Sequence, residues 1–360
     1  LLELYHGPTL AFKDIAMQVI GNMYDYLKVS KDKEVNIIVA TSGDTGSAAI
    51  SALNDRKNIN VFILHPHKKI SNIQRKIMTT IGSKNIFNIA IKGSFDDCQK
   101  IVKDMFNDNA FREKINMSGV NSINWARIIC QIVYYFYAAF KIDKKKISFS
   151  VPTGNFGDIY AGYIAKKMGL SIDKLIVATN ENDILQKVIS TGEYKPGKVK
   201  PSLSPSMDIQ VSSNFERLLF DIVEQDDKKV ALLMNDLLTK GFFKLDQKAI
   251  KIIKKDFCSE KINDQETLSI IKDLFVKSNF VLDPHTATAF GAAKKIDNLS
   301  ETIVLGTAHP YKFLETVKKA TGEKIDAPTQ LSNILDKKEK FDIIENNISK
   351  IKNYILEKSL

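Results

Sequence analysis

Arginine is scarce in this chain. Of 52 basic residues only Arg56, Arg75, Arg112, Arg127 and Arg217 are arginines, and 47 lysines are spread over the 360 positions. Surfaces that read bases favour arginine's rigid fork and gather charge on one element. The formal charge of +10 therefore does not point to nucleic acid, and no such partner is expected. A chain rich in Lys, Ile and Asn more often reflects an AT-rich genome. Cysteine is also thin: Cys98, Cys130 and Cys258 are odd in number and show no C-x-x-C spacing. That excludes a zinc knuckle or a disulfide framework and suits free thiols in the cytoplasm. No run approaches the ~18–20 apolar residues of a membrane span. No signal peptide is recognisable. The five histidines lack H-E-x-x-H or facial-triad spacing, so no metal is expected. G-x-G-x-x-G, a G-K-[ST] ending and G-x-S-x-G are absent too, which removes dinucleotide, nucleotide P-loop and hydrolase readings. The chain opens at Leu1 without Met and runs at once into a dense motif, as expected of a fragment or of a chain lacking an N-terminal segment.

What is present is globular. Hydrophobic residues make up 44% and charged residues 26%, enough for one large or two ordinary domains. Strand-length apolar runs alternate with helix-period segments, the pattern of an α/β protein with a parallel sheet covered by helices. Expected strands are Val35–Ala40, Asn60–Leu64, Ile86–Ile91, Ile147–Val151, Leu175–Ala178 and Thr302–Leu305. Expected helices are Ser47–Leu53, Ser94–Phe106, Asn121–Phe140 and Ile159–Met168. Thr191–Ser206 reads as a long Gly/Pro/Ser loop, and Ile343–Leu356 as a peripheral amphipathic helix.

Five segments depart from core and surface rules. Lys13 follows Leu10-Ala11-Phe12, so apolar walls could free its neutral amine for Schiff-base chemistry; taken alone, it reads better as a snorkelling lysine at a helix start. Thr41-Ser42-Gly43-Asp44-Thr45-Gly46-Ser47 joins a strand to a helix and reads either as an anion cradle or as a glycine turn with a cap. Pro152-Thr153-Gly154-Asn155-Phe156-Gly157-Asp158 repeats that placement, with donors suited to a phosphate monoester. Asn121, Asn124 and Arg127 fall three apart, on one helical face able to take a second phosphate, or as a cap followed by a solvent-facing arginine. Core packing accounts for Trp125 as well as anything else. Thr307, at a strand's carboxyl end in Gly306-Thr307-Ala308-His309-Pro310, can offer a neutral hydroxyl to a ring nitrogen. His309 and His285 read better as packed, hydrogen-bonded histidines.

Together these segments resemble threonine synthase, a fold type II pyridoxal-phosphate enzyme. The matching stretches are HGPTLAFKD at 6–14, TSGDTGSA at 41–48, GSFDDCQ at 93–99 and NSINWAR at 121–127. PTGNFGD at 152–158, SPSMDIQVSSNFERLLF at 204–220, DPHTA at 283–287 and GTAHPYKF at 306–313 complete them, in the family's order. The resemblance implies a tryptophan synthase beta-like fold: a large domain with a twisted, mostly parallel sheet, and a smaller mobile α/β domain. The expected division is 1–32 with 141–328 for the large pyridoxal-phosphate domain, 33–140 for the small one and 329–360 for a peripheral tail. Family members normally carry a further N-terminal domain before the first motif.

The resemblance also implies roles. Lys13 would join the cofactor as a Schiff base and later shuttle protons. Gly154, Asn155, Phe156, Gly157 and Asp158 would hold the cofactor phosphate, and Thr307 would face the pyridine nitrogen. Ser42, Asp44 and Thr45 would lie over the ring near the substrate carboxylate, with the cofactor contact of Asp44 left open. Asn121, Asn124 and Arg127 would take the substrate phosphate. The implied reaction converts O-phospho-L-homoserine and water to L-threonine and phosphate, a carbon–oxygen lyase step, in a cytoplasmic monomer or homodimer. One rival is a sister lyase that eliminates phosphate and yields a keto acid. The other is a non-catalytic phosphate-binding module.

Overall fold

The computed structural model describes residues 1–27, 34–142, 144, 146–296 and 301–359. The chain divides into two compact units, Leu1–Leu4 with Ile128–Lys324, and Tyr5–Arg127 with Ile325–Leu360.

The first unit is built on five parallel strands in the order Leu2–Glu3, Thr302–Gly306, Ile147–Pro152, Ile172–Thr179 and Phe257–Lys261. Helix Pro284–Ile296 lies on this sheet through Ala289, Ala292 and Ala293, which meet Ile176, Ala178 and Val304. Small residues on that helix face allow the close approach. Phe257–Lys261 was not expected as a strand, because its FCSEK sequence lacks an apolar run; it is a sheet edge, buried mainly at Phe257. The expected long loop holds a short strand, Glu193–Tyr194, paired antiparallel with Phe243–Lys244.

The second unit has its own five parallel strands, in the order Asp342–Glu345, Ile86–Lys92, Ile59–Pro66, Val35–Ala40 and Met117–Ser118. Every residue of Ile59–Pro66 is buried, which is why that strand reads as a continuous apolar run without alternation. Helix Phe95–Asn107 starts at a closed capping box, with Ser94 accepting from the Asp97 N–H and Asp97 turned back onto Ser94.

The units cut the chain elsewhere than expected. Residues 5–27 belong with the second unit because helix Lys13–Leu27 sends Met17 and Ile20 into a core shared with Ala48, Ala49 and Ala52. The expected break at 32/33 lies outside the described residues. The upper break falls within the first turn of helix Trp125–Ile142. Nor is the C-terminal segment peripheral. Strand Asp342–Glu345 extends the sheet, and helix Ile348–Ser359 buries Ile351 and Ile355 against Phe62 and Leu64. Arg75 grips Glu339 through Nε at 2.8 Å and Nη2 at 3.1 Å.

His65 sits in strand Ile59–Pro66, its ring edge-on to Phe341. Burial pushes its pKa down from 6.5 to about 4, with Arg75 and His67 adding to that direction. The unfolded chain then takes up the proton first, so this residue's contribution is intact above pH 6.5 and is lost as pH falls towards 4. Urea unfolding should lose about 3 kcal/mol over that window through His65 alone. His65→Leu should lose correspondingly less over the same pH range.

Candidate active site

The residues singled out in the sequence fall in both units, and within each unit they are arranged around buried carboxylates. In the second unit, the loop before helix Lys13–Leu27 is wound around Asp14. The Asp14 carboxylate accepts from the Thr9 N–H at 2.9 Å, the Ala11 N–H at 3.4 Å and the Thr9 hydroxyl. Leu10 has φ 58°, a left-handed conformation that these bonds hold in place. The loop delivers Lys13 as the first residue of its helix. The Lys13 side chain is 11% exposed, and its Nζ stands 3.4 Å from Asp44 Oδ2, whose own side chain is 5% exposed. Phe12 presents its ring 5.2 Å from the same nitrogen. The surroundings are therefore mixed, a carboxylate beside an aromatic ring, where apolar walls were expected.

Asp44 begins helix Asp44–Leu53, three residues before the expected start. Thr41 Oγ1 accepts from the N–H groups of Gly43 and Gly46, both at 2.9 Å, and folds the turn tightly. Gly43, at φ 136°, leaves room for Gln74: a Cβ there would stand 2.8 Å from the Gln74 amide nitrogen. That nitrogen donates to Asp44 Oδ1 at 3.0 Å. Sequence reasoning missed Gln74, although Ser71-x-x-Gln74 is a helix-start signature. Ser42 and Thr45 are half-buried on the same turn.

Asn121, Asn124 and Arg127 do not form a helical stripe, because the helix begins at Trp125. Asn124 precedes it and accepts from the Ala126 N–H at 3.0 Å, while its amide reaches the Gly119 carbonyl at 3.3 Å. Asn121 is exposed. Arg127 is only 4% exposed, with Nη1 donating to the Val120 carbonyl, so it is no solvent-facing arginine. Trp125 is 43% exposed, against the expectation of core packing.

In the first unit the turn Gly154–Gly157 follows strand Ile147–Pro152 and opens helix Gly157–Lys167. Ser212 Oγ donates to the Gly154 carbonyl at 2.8 Å, and Asn214 donates to the Asn155 carbonyl through both N (3.1 Å) and Nδ2 (2.9 Å). In planar trans peptides this turns the N–H groups of Asn155 and Phe156 the opposite way. Phe156 carries φ 62°, fixed by its buried ring against Phe215. Tyr135 Oη donates to the carbonyl and Oδ1 of Asp158, at 2.8 and 3.1 Å, anchoring the helix start. Gly154 cannot be larger, since a Cβ would lie 2.8 Å from the Ser206 carbonyl oxygen. Among the described residues, Ser206 Oγ, also buried, has no hydrogen-bond partner.

Asp283 ties this turn to Thr307. It precedes Pro284 at a helix start and accepts from the His285 N–H at 2.9 Å and the Thr286 N–H at 3.3 Å. Asp283 Oδ1 also faces His285 Nδ1 at 2.9 Å, and Oδ2 takes the Thr286 hydroxyl. His285 Nε2 then accepts from the Ser206 N–H, and Thr286 Oγ1 from the Thr307 N–H, both at 3.3 Å. With its Nδ1 facing the carboxylate and Nε2 accepting, His285 is a bridge between loop and helix. His309 caps the turn Pro310–Phe313, accepting from the Tyr311 N–H at 3.1 Å. Both histidines have the packed, hydrogen-bonded character expected of them.

The comparisons with known proteins give the class: the chain is a pyridoxal-phosphate-dependent enzyme of fold type II. The family "Pyridoxal-phosphate dependent enzyme" matches residues 2–236, and "Threonine synthase, C-terminal" matches residues 286–355. Threonine synthase of Pseudomonas aeruginosa is 46% identical over 360 residues, covering 99% of this chain and 77% of that protein. The crystal structure of PLP-bound threonine synthase from Brucella melitensis superposes with TM-score 0.94 at 45% identity, covering 99% of this chain and 78% of that one. Yeast threonine synthase follows with TM-score 0.91 at 42% identity, over 99% of this chain and 77% of that one. The chain belongs to the threonine synthase family.

Replacing Asp283 by Ala strips acceptors from two backbone N–H groups, a hydroxyl and an imidazole at once. The variant should lose about 3 kcal/mol or more in urea unfolding, together with most of its affinity for pyridoxal phosphate.

Proposed function

We propose that the chain converts O-phospho-L-homoserine and water to L-threonine and phosphate, the last step of threonine synthesis. The observation that carries this is the largely buried Lys13 amine 3.4 Å from Asp44, set in the segment that matches the family's lysine motif. The residues suit pyridoxal phosphate. The N–H groups of Asn155 and Phe156 face away from the Gly154 and Asn155 carbonyls held by Ser212 and Asn214, Gly154 keeps the turn open, and among the described residues the buried Ser206 hydroxyl lacks a partner. We assign the cofactor phosphate to Gly154, Asn155, Phe156, Gly157 and Asp158, the last as the anchored helix start, with Ser206 Oγ as an added donor. Thr307 offers its neutral hydroxyl to the ring nitrogen.

When bound, the cofactor supplies a ring that spreads the negative charge left by removal of the Cα proton. Lys13 Nζ takes that proton, and Asp44 Oδ2 faces the ammonium that results. Ser42 and Thr45, at the start of helix Asp44–Leu53, orient the substrate carboxylate. Arg127 with Asn121 and Asn124 receives the substrate phosphate, and Arg127 can do so at low conformational cost because its guanidinium is already held by Val120. One Cβ proton leaves and phosphate departs from Cγ with the C–O electron pair. Cγ then takes up a proton to become a methyl group, water adds its oxygen to Cβ and gives up a proton, and the Cα proton is restored.

We place the enzyme in the cytoplasm as a monomer or homodimer. The three cysteines are free, and burial pushes the thiol of Cys98 up to about 12 and that of Cys258 to about 11, which leaves them unreactive. Among the described residues no helix is long and apolar enough to cross a membrane.

Purified protein with pyridoxal phosphate and O-phosphohomoserine should release phosphate and threonine in equal amounts. Phosphate released with a keto acid in place of threonine would overturn this reading and support the sister lyase. Lys13→Ala should lower turnover by roughly 1000-fold or more. Gly154→Ala should weaken cofactor binding about tenfold or more, the equivalent of ~1.4 kcal/mol, measured by absorbance titration.

A further inference from the structure

Helix Asn72–Thr79 starts in an unusual way. Ser71 caps it, accepting from the Gln74 N–H at 3.2 Å. In a closed capping box the side chain three residues on turns back onto the cap's backbone, as Asp97 does to Ser94 and Glu266 to Asn263. Gln74 occupies the corresponding position with a different arrangement. Its Oε1 accepts the Ser71 hydroxyl at 2.9 Å, and its Nε2 extends to Asp44 Oδ1 at 3.0 Å. The amide orientation follows from chemistry: only the NH2 side can face a carboxylate. Gln74 is 1% exposed, and the bare backbone of Gly43 makes space for it. The result is a directed series, Ser71 to Gln74 to Asp44, ending 3.4 Å from Lys13 Nζ.

A carboxylate with one partner can rotate about its last bond, and either oxygen can then face the lysine. Gln74 donates to Oδ1 while Oδ2 faces Lys13, so the amide biases which oxygen meets the lysine. We propose that Gln74 is a positioning residue for the Lys13–Asp44 pair: it holds Asp44 so that Oδ2 faces Lys13, and so governs where the proton between them resides. This rests on the reading of Lys13 as the reactive lysine.

The test compares Gln74→Met, which removes the amide at similar length, with Gln74→Glu, which keeps the shape and adds a carboxylate. Two pH titrations are read. In cofactor-free protein, reductive methylation of Lys13 is followed by mass spectrometry; in holoenzyme, the absorption band of the lysine–cofactor linkage is followed. In Gln74→Met a loosened Asp44 stabilises the ammonium less, so the Lys13 midpoint should fall by about half a unit or more. In Gln74→Glu the added negative charge should raise it by a similar amount. kcat should drop about tenfold or more in both, with KM changing less than about threefold.

A merely structural role would shift both midpoints the same way or neither, and either result overturns the proposal. Thermal melts identify a variant that has failed to fold. Should Gln74→Met unfold, the sign of the shift in Gln74→Glu decides: a rise supports the proposal, and no shift or a fall rejects it. Lys13→Ala separates the two levels of argument. If the linkage band survives in Lys13→Ala, the reading of Lys13 itself has failed; if the band disappears there and the Gln74 variants leave the midpoint unmoved, only the role of Gln74 has.

Discussion

The ion pair between Lys13 and Asp44 is the constraint around which the second unit is arranged. A lysine amine this far removed from water needs a partner, and a buried carboxylate needs donors. Each requirement is met by a separate device. Asp14 winds the loop that brings Lys13 to its helix start. Thr41 closes the turn that brings Asp44 to its own, and Gln74 fills the space beside Gly43. None of these residues needs to touch substrate to matter. A lysine aimed by rigid neighbours can act as a base at one carbon and return the proton there, which a freely rotating side chain does poorly.

The first unit solves a parallel problem with the same means. Asp283 caps a helix and, through Thr286 and His285, connects Thr307 at one strand end with Ser206 beside the turn after another. Parallel strands make this economical. Within each sheet their carboxyl ends share an edge, so Thr153 and Thr307 leave neighbouring strands on the same side, just as the Thr41 turn leaves its own sheet. The fold thus fixes where site segments emerge, and buried carboxylates fix how they point.

Much of this was legible in the sequence. Val35–Ala40 and Ile147–Pro152 are largely buried, and their strand-length runs followed by Gly-rich turns marked the candidate site segments. Lys13 and the 154–157 turn stood out because their residue types fit no core or surface rule. Reading was poorer where tertiary contacts set the outcome. Phe257–Lys261 is polar because it is an edge, and helix Ile348–Ser359 looks like a surface helix because only Ile351 and Ile355 are buried on it. Asn121 to Arg127 has helical spacing, yet the Asn124 side chain caps the turn and the helix begins after it. Gln74 was invisible for another reason: its partner lies 30 residues away, and a glutamine three residues after a serine reads as an ordinary cap.

The central claim is that one lysine of 47, Lys13, carries the cofactor. Borohydride reduction of the holoenzyme followed by peptide mapping tests it most directly. The account predicts the pyridoxyl group on the peptide containing Lys13 and on no other. Stoichiometric labelling of a different lysine, with Lys13 unmodified, would contradict it.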